Sequence, residues 1–156
     1  MATTITAATL TVTITEEITL NGQDKGATNT LTIASITEAS QRIVEIPTSA
    51  EITVLSFQQT RPGAGTFNEA DVRYIRLTNK DDTNFIQIIV ASDANAESAH
   101  KLEAGHSIFI AVSAEGVVNV HDASASALTV SFDDITSVTA LANTAACDLE
   151  YFVAGV

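Results

Sequence analysis

From Thr9 to Thr15 the chain reads Thr-Leu-Thr-Val-Thr-Ile-Thr, an unbroken alternation of threonine with aliphatic side chains. Such a two-residue period marks a half-buried strand. Successive strand side chains point to opposite faces, so Leu10, Val12 and Ile14 are predicted to enter a core while Thr9, Thr11, Thr13 and Thr15 face solvent or a partner. Looser versions of this pattern recur along most of the 156 residues, which predicts an all-β protein.

Turn signals cut the sequence into short runs typical of a sandwich or barrel. The first strand is expected over 9–20. Asn21-Gly22-Gln23-Asp24-Lys25-Gly26, rich in residues that tolerate positive φ, then turns the chain into a return strand over 28–36. The pair reads as a hairpin in which Leu31 and Ile33 continue the apolar face of Leu10 and Val12. Further strands are expected over 42–46, 51–57, 72–78, 85–91, 107–112, 117–121, 128–132, 135–141 and 149–153. Together these are more than one open sheet normally holds, so two packed sheets, an antiparallel β-sandwich, are the simplest solution. Single helical turns are expected near Asn68-Glu69-Ala70 and over Asp93 to Ser98, where Ala and Glu cluster. Residues 1–8 are read as an extended arm able to add a strand to a neighbouring subunit, and residues 9–156 as one sandwich domain. Gln58 to Thr66, with one Pro and two Gly, is either an exposed interaction arm or a connection between sheets.

A net charge of −12 repels phosphate backbones and anionic lipid, so neither nucleic acid nor membrane is an expected partner. The N-terminus lacks the basic start and apolar stretch of a signal peptide, and no run of about 18 apolar residues suggests a span. Arg61, Arg73, Arg76 and Lys80 hold more than half of the positive charge. They read either as locally paired strand residues or as a basic edge for an acidic partner. Twenty-two threonines and twenty-four alanines, with edge strands lacking lysine, leave sheet edges poorly defended against pairing and favour an oligomer.

No catalytic residue, metal site or cofactor is predicted. His100, His106 and His121 lack the spacing that places two ligands on one local face. The doublets Asp81-Asp82 and Asp133-Asp134 are not followed by the alternating ligands of a calcium loop and read as turn residues. Cys147, the single cysteine, stands beside Asp148, which would raise its pKa, and reads as a buried small residue. Gly63-Ala64-Gly65 lacks the lysine of a phosphate loop, and no Gly-x-Ser-x-Gly elbow occurs. The chain is therefore read as non-enzymatic.

Asp71-Val72-Arg73-Tyr74-Ile75-Arg76-Leu77-Thr78-Asn79 leads through Lys80-Asp81-Asp82-Thr83-Asn84 into a second strand beginning Phe85-Ile86-Gln87. Lys101-Leu102-Glu103-Ala104-Gly105-His106-Ser107 opens another, and Leu149 to Gly155 closes the chain's apolar pattern. These segments, within residues 71–156, resemble small virion proteins of tailed bacteriophages. The resemblance implies a jelly-roll-like subunit assembled in the host cytoplasm and resident in the virion. Its expected role is capsid decoration: a homotrimeric cement protein bridging copies of the major capsid protein, with Arg61, Arg73 and Arg76 as candidate contacts to an acidic shell surface. Two alternatives are a tail, adaptor or fibre-base component, and a carbohydrate-binding β-sandwich. The last is weakened by the lack of Trp and by having only Tyr74 and Tyr151 as tyrosines, since sugar sites usually stack on an exposed aromatic ring.

Overall fold

The computed structural model describes residues 5–60, 65–92, 96–111 and 132–156. Contacts divide the chain into two compact units, Met1–Glu38 with Val156, and Ala39–Gly155.

In the first unit, β1 (Ala8–Glu16) and β4 (Ala27–Ile36) pair antiparallel, and the short strands β2 (Thr19–Leu20) and β3 (Gln23–Asp24) pair at the turn. Asn21 (φ 52°) and Gly22 (φ 76°) form the two-residue link, the positive-φ dipeptide that matches the twist of a hairpin. Gly26 is required by space: a Cβ there would lie 2.3 Å from the Glu16 carbonyl oxygen. Leu31 and Ile33 continue the apolar face of Leu10 and Val12, as expected, and the register sets Leu10 opposite Ile33 and Val12 opposite Leu31, while Thr11 faces Thr32, Thr13 faces Thr30 and Thr15 faces Thr28. One face of the hairpin is therefore aliphatic and the other a threonine ladder. Between Ala8 and Leu10 the register slips, and β4 absorbs the extra residue with Ser35 at φ 63°.

The aliphatic face does not enter a core. Ile14 and Leu31 are 43% and 41% exposed, and Leu10, Val12 and Ile33 are half-buried. Within the described part of residues 5–36 only Ile36 is buried. The cause is architectural: among the described residues β1 and β4 make a sheet of two strands that no third strand extends. The contact boundary falls after Glu38.

The second unit contains β5 (Glu38–Ile46), β6 (Ile52–Gln58), β7 (Phe67–Asn68), β8 (Val72–Asn79), β9 (Ile86–Ser92), β10 (Glu97–Leu102), β11 (Ser107–Ala111), β12 (Ile135–Ala142) and β13 (Cys147–Gly155). They form a five-stranded sheet ordered β10-β9-β12-β6-β7 and a four-stranded sheet ordered β11-β8-β13-β5. The pairings given are antiparallel except for the short parallel β6–β7 bridge. One core draws on both sheets: Leu55, Ile86, Ile88, Val90, Val138 and Ala140 from the first, and Ile46, Ile75, Leu77, Leu149 and Val153 from the second. Phe57 and Phe67 pack edge to face across the bridge, centroids 6.3 Å apart. Each fully buried Ile or Leu contributes about 1.5–3 kcal/mol.

The expected turn near Asn68 is a short 3-10 helix, Glu69–Asp71, whose Ala70 N–H is accepted by the Asn68 side chain at 3.0 Å. The turn expected up to Ser98 is corrected: Glu97 and Ser98 begin β10, because pairing with β9 (Glu97 opposite Ala91, Leu102 opposite Ile86) outweighs the helical preference of Ala and Glu. Residues 1–4 of the expected arm, the strand expected over 117–121, residues 128–131, His121 and Arg61 lie outside the described residues.

Two connections carry the chain between the sheets side by side. Asn79, fully buried, ties them together. Its Nδ2 donates to the carbonyls of Asn84 (2.8 Å) and Leu102 (3.2 Å), its Oδ1 accepts from the Asp81 N–H (3.0 Å), and its main-chain N–H donates to the His106 carbonyl (3.0 Å). Gly105 (φ 71°) makes the tight turn into β11, closed by His106 N–H donating to the Glu103 carbonyl at 3.1 Å.

Candidate functional site

Alternation along β8 turns Ile75 and Leu77 into the core and Tyr74, Arg76 and Thr78 onto the outer face of the four-stranded sheet. Across that face Arg76 lies in register between Phe109 of β11 and Phe152 of β13. Phe109 is 48% exposed, and Ile43, on the outer face of the edge strand β5, is 55% exposed. Tyr74 packs its ring against Phe152 at 6.0 Å between centroids and is itself buried, which raises its hydroxyl pKa.

Arg76 is not a free cation. Its Nη2 donates to Glu150 Oε1 and its Nη1 to Thr78 Oγ1 at 2.8 Å. This hydrogen bond with the guanidinium is the main cause that holds the Glu150 carboxyl below its ordinary range. The centre of the face is thus an ion pair with 27% and 14% side-chain exposure, flanked by aromatic rings. Aromatic residues and arginine are the types enriched in protein interfaces, where they act as rigid anchors.

Arg73 is held differently. Tyr74 pairs with Ala154 and Val72 with Gly155, so Arg73 is the extra residue of a bulge without a partner position on β13. Its guanidinium turns back to the Ala70 and Val72 carbonyls at 2.7 and 2.9 Å and fastens the 3-10 turn. Arg73 and Arg76 therefore serve different structures.

Lys80 lies at the end of the same strand in a depression also lined by Glu45, Asp81, Asp82 and Asp148. Asp81 Oδ1 accepts the N–H groups of Asn84 and Thr83, which holds its carboxyl below the usual range and makes it a turn-forming residue. Cys147 is buried, and burial followed by the charges of Asp81 and Asp148 raises its thiol pKa, the opposite of nucleophile activation. His100 contacts Ser98 Oγ at 3.0 Å, and His106 Nδ1 donates to the Ala104 carbonyl at 2.8 Å. Among the described residues no three His, Cys, Asp or Glu side chains are grouped to hold a metal ion.

Sequence reasoning picked out Arg76 but missed Phe109, Phe152, Ile43 and Glu150. A signal for Phe109 was present in Ser107-Ile108-Phe109-Ile110, a strand with apolar side chains on both faces and hence two surfaces to cover. Glu150 stands 74 positions from Arg76, and only the sheet order makes them neighbours. Comparison of the chain with protein-family models, with curated proteins and with solved structures finds no match.

Proposed function

We propose that this chain is a non-enzymatic virion structural protein, a decoration subunit of a tailed bacteriophage head that bridges capsid proteins through the outer face of its four-stranded sheet. The observation that carries the reading is strand order. Leaving aside the two-residue β7 and counting β5, β6, β8, β9, β10, β11, β12 and β13, in chain order among the described residues, as strands one to eight, the sheets run 1-8-3-6 and 2-7-4-5. We read this order as that of a jelly-roll sandwich, an architecture used by viral capsid and lectin domains, and it supports the virion reading. Between those two uses the exposed groups favour the capsid: Tyr74 is 4% exposed and Tyr151 packs against the core, so neither tyrosine offers an open ring to a sugar, whereas Phe109 and Ile43 leave apolar surface on the outer face that a protein can cover.

The mechanism is mechanical. Covering that face on a shell subunit adds about 25 cal/mol per Å² of apolar area before the cost of association, and Arg76 exchanges or shares Glu150 with a carboxylate of the partner. Quantitative mass spectrometry of purified particles tests the reading. Hundreds of copies in a simple ratio to the major capsid protein are expected. Six to a few dozen would transfer the chain to the tail or portal vertex, and absence from particles would overturn the virion assignment. For the face itself, Arg76→Glu combined with Phe109→Ala should abolish binding to undecorated heads, and undiminished binding would remove these residues from the contact.

A further inference from the structure

We infer that Asn21 is a site of spontaneous covalent modification: the Gly22 amide closes on its side chain, ammonia leaves, and water opens the ring to aspartate and isoaspartate. The inference does not depend on the virion reading. It starts from the hairpin turn. Of the chain's eight asparagines only Asn21 precedes a glycine. Both residues are exposed, and a Cβ added at Gly22 would meet no atom within 4 Å, so the attacking nitrogen is screened neither by a side chain of its own residue nor by a neighbouring element.

The step balances with water as the only co-reactant. The Gly22 main-chain nitrogen gives up its proton to the solvent and attacks Asn21 Cγ. A bond from that nitrogen to Cγ forms, the bond from Cγ to Nδ2 breaks, and the amide group takes up a proton and departs as ammonia. Water then adds to one of the two carbonyls of the cyclic imide. Opening at Cγ leaves an aspartate; opening at the main-chain carbonyl leaves an isoaspartate, whose backbone runs through Cβ and Cγ and is one methylene longer. Nothing is oxidised or reduced, and either product adds one negative charge to the net −12.

Ring closure needs Asn21 to rotate out of its turn conformation, so the rate follows how often the turn opens. Two residue pairs, Thr19 with Asp24 and Leu20 with Gln23, hold the link, and a two-stranded ladder of that length opens at low cost. Asn79 is the opposite case. It is fully buried, its Nδ2 and Oδ1 are both engaged, and the amide that would attack it, the Lys80 N–H, donates instead to the Asp148 carbonyl at 2.8 Å. Asn143 and Asn84 keep Nδ2 on Thr144 Oγ1 (2.9 Å) and Asp81 Oδ1 (3.3 Å). Asn29 is exposed like Asn21, but it lies within β4 opposite Ile14 and precedes the β-branched Thr30. The isoaspartate product also changes the hairpin: a methylene added to a two-residue link at positive φ takes Leu20 and Gln23 out of register.

The test is to age the full chain, folded by circular dichroism, in mildly alkaline buffer at body temperature and to read digests by mass spectrometry with enzymatic methylation of isoaspartyl carboxyls. Position 21 should exchange NH for O about tenfold or more faster than any other asparagine among the described residues. Mildly acidic buffer, which keeps the Gly22 amide protonated, should slow it. Gly22→Asn keeps a residue that tolerates positive φ but sets a Cβ beside the attacking nitrogen, and it should slow conversion at position 21 by about tenfold. In aged wild type, amide exchange over 19–24 should accelerate while exchange over 39–155 is unchanged; unaltered exchange over 19–24 would overturn the loss of register. Asn21 still intact after a free peptide of residues 17–26 has fully converted overturns the inference, and so does a Gly22→Asn chain that converts at the wild-type rate.

Discussion

In β1, Leu10, Val12 and Ile14 alternate strictly with threonine, whereas in β9 Ile86, Ile88 and Val90 are interleaved with Gln87, Ile89 and Ala91, yet the less regular strand is the one that is buried. Ile86 and Ile88 are 0% and Val90 1% exposed, whereas Ile14 is 43% exposed. β9 lies between β10 and β12 and shares its core with the facing sheet, while among the described residues β1 has the single neighbour β4. Alternation decides which side of a strand turns from water. It does not supply the layer that covers that side. In residues 39–155 the described strands themselves supply the layer; in residues 8–36 the pattern is complete without a second layer inside the hairpin.

The sharpest break of this contrast is Ile88→Ala, which empties a fully buried position and should lower the unfolding free energy by about 2–5 kcal/mol. Denaturant unfolding that moved by under about 1 kcal/mol would mean that this core is no better packed than the hairpin. Gly26→Ala acts on the other side. The new Cβ meets the Glu16 carbonyl, so amide exchange over 8–36 should accelerate by an amount corresponding to about 1–2 kcal/mol while exchange in 39–155 is unchanged. Equal acceleration in both regions would show that the two unfold as one.

Acid sharpens the comparison further. Asp81 and Glu150, both in the second unit, have carboxyl pKa values lowered by their hydrogen bonds. The unfolded chain then binds more protons, so their contribution is present above the ordinary carboxylate range near about 4 and is lost as the pH falls through the folded values. Thermal melts of the second unit should drop in that window, and Asp81→Asn should flatten the drop; an unchanged slope would remove Asp81 from the account. The smallest effect is expected at Thr139, whose buried hydroxyl has no hydrogen-bond partner. Thr139→Val should leave stability unchanged or raise it by up to about 1 kcal/mol, and a clear loss in melting temperature would reveal a bond that the hydroxyl makes.

The hairpin was readable because its information is local: period two in both strands, a positive-φ link between them, and matched aliphatics at Leu10 with Ile33 and Val12 with Leu31. β10 was not. Glu97-Ser98-Ala99-His100-Lys101-Leu102 has no β-branched residue and buries only Leu102, so its strand is imposed by the open edge of β9. The candidate face was half legible. Arg76 stood out by charge, but its neutralisation by Glu150 and its placement between Phe109 and Phe152 follow from an order of strands that no local pattern encodes. Arg73 looked equivalent to Arg76 until a bulge gave it a different task.

Asn79 has a consequence for force. At one end of the second unit the two sheets are crossed by neighbouring segments, and this single residue joins both through four hydrogen bonds. Sliding one sheet over the other at that end must break those bonds together, because they load in parallel on one rigid amide and its own backbone. A tension applied across the sheets would meet a latch there. Pulling the chain apart in an optical trap before and after Asn79→Ala would measure how much of the yield force that latch carries.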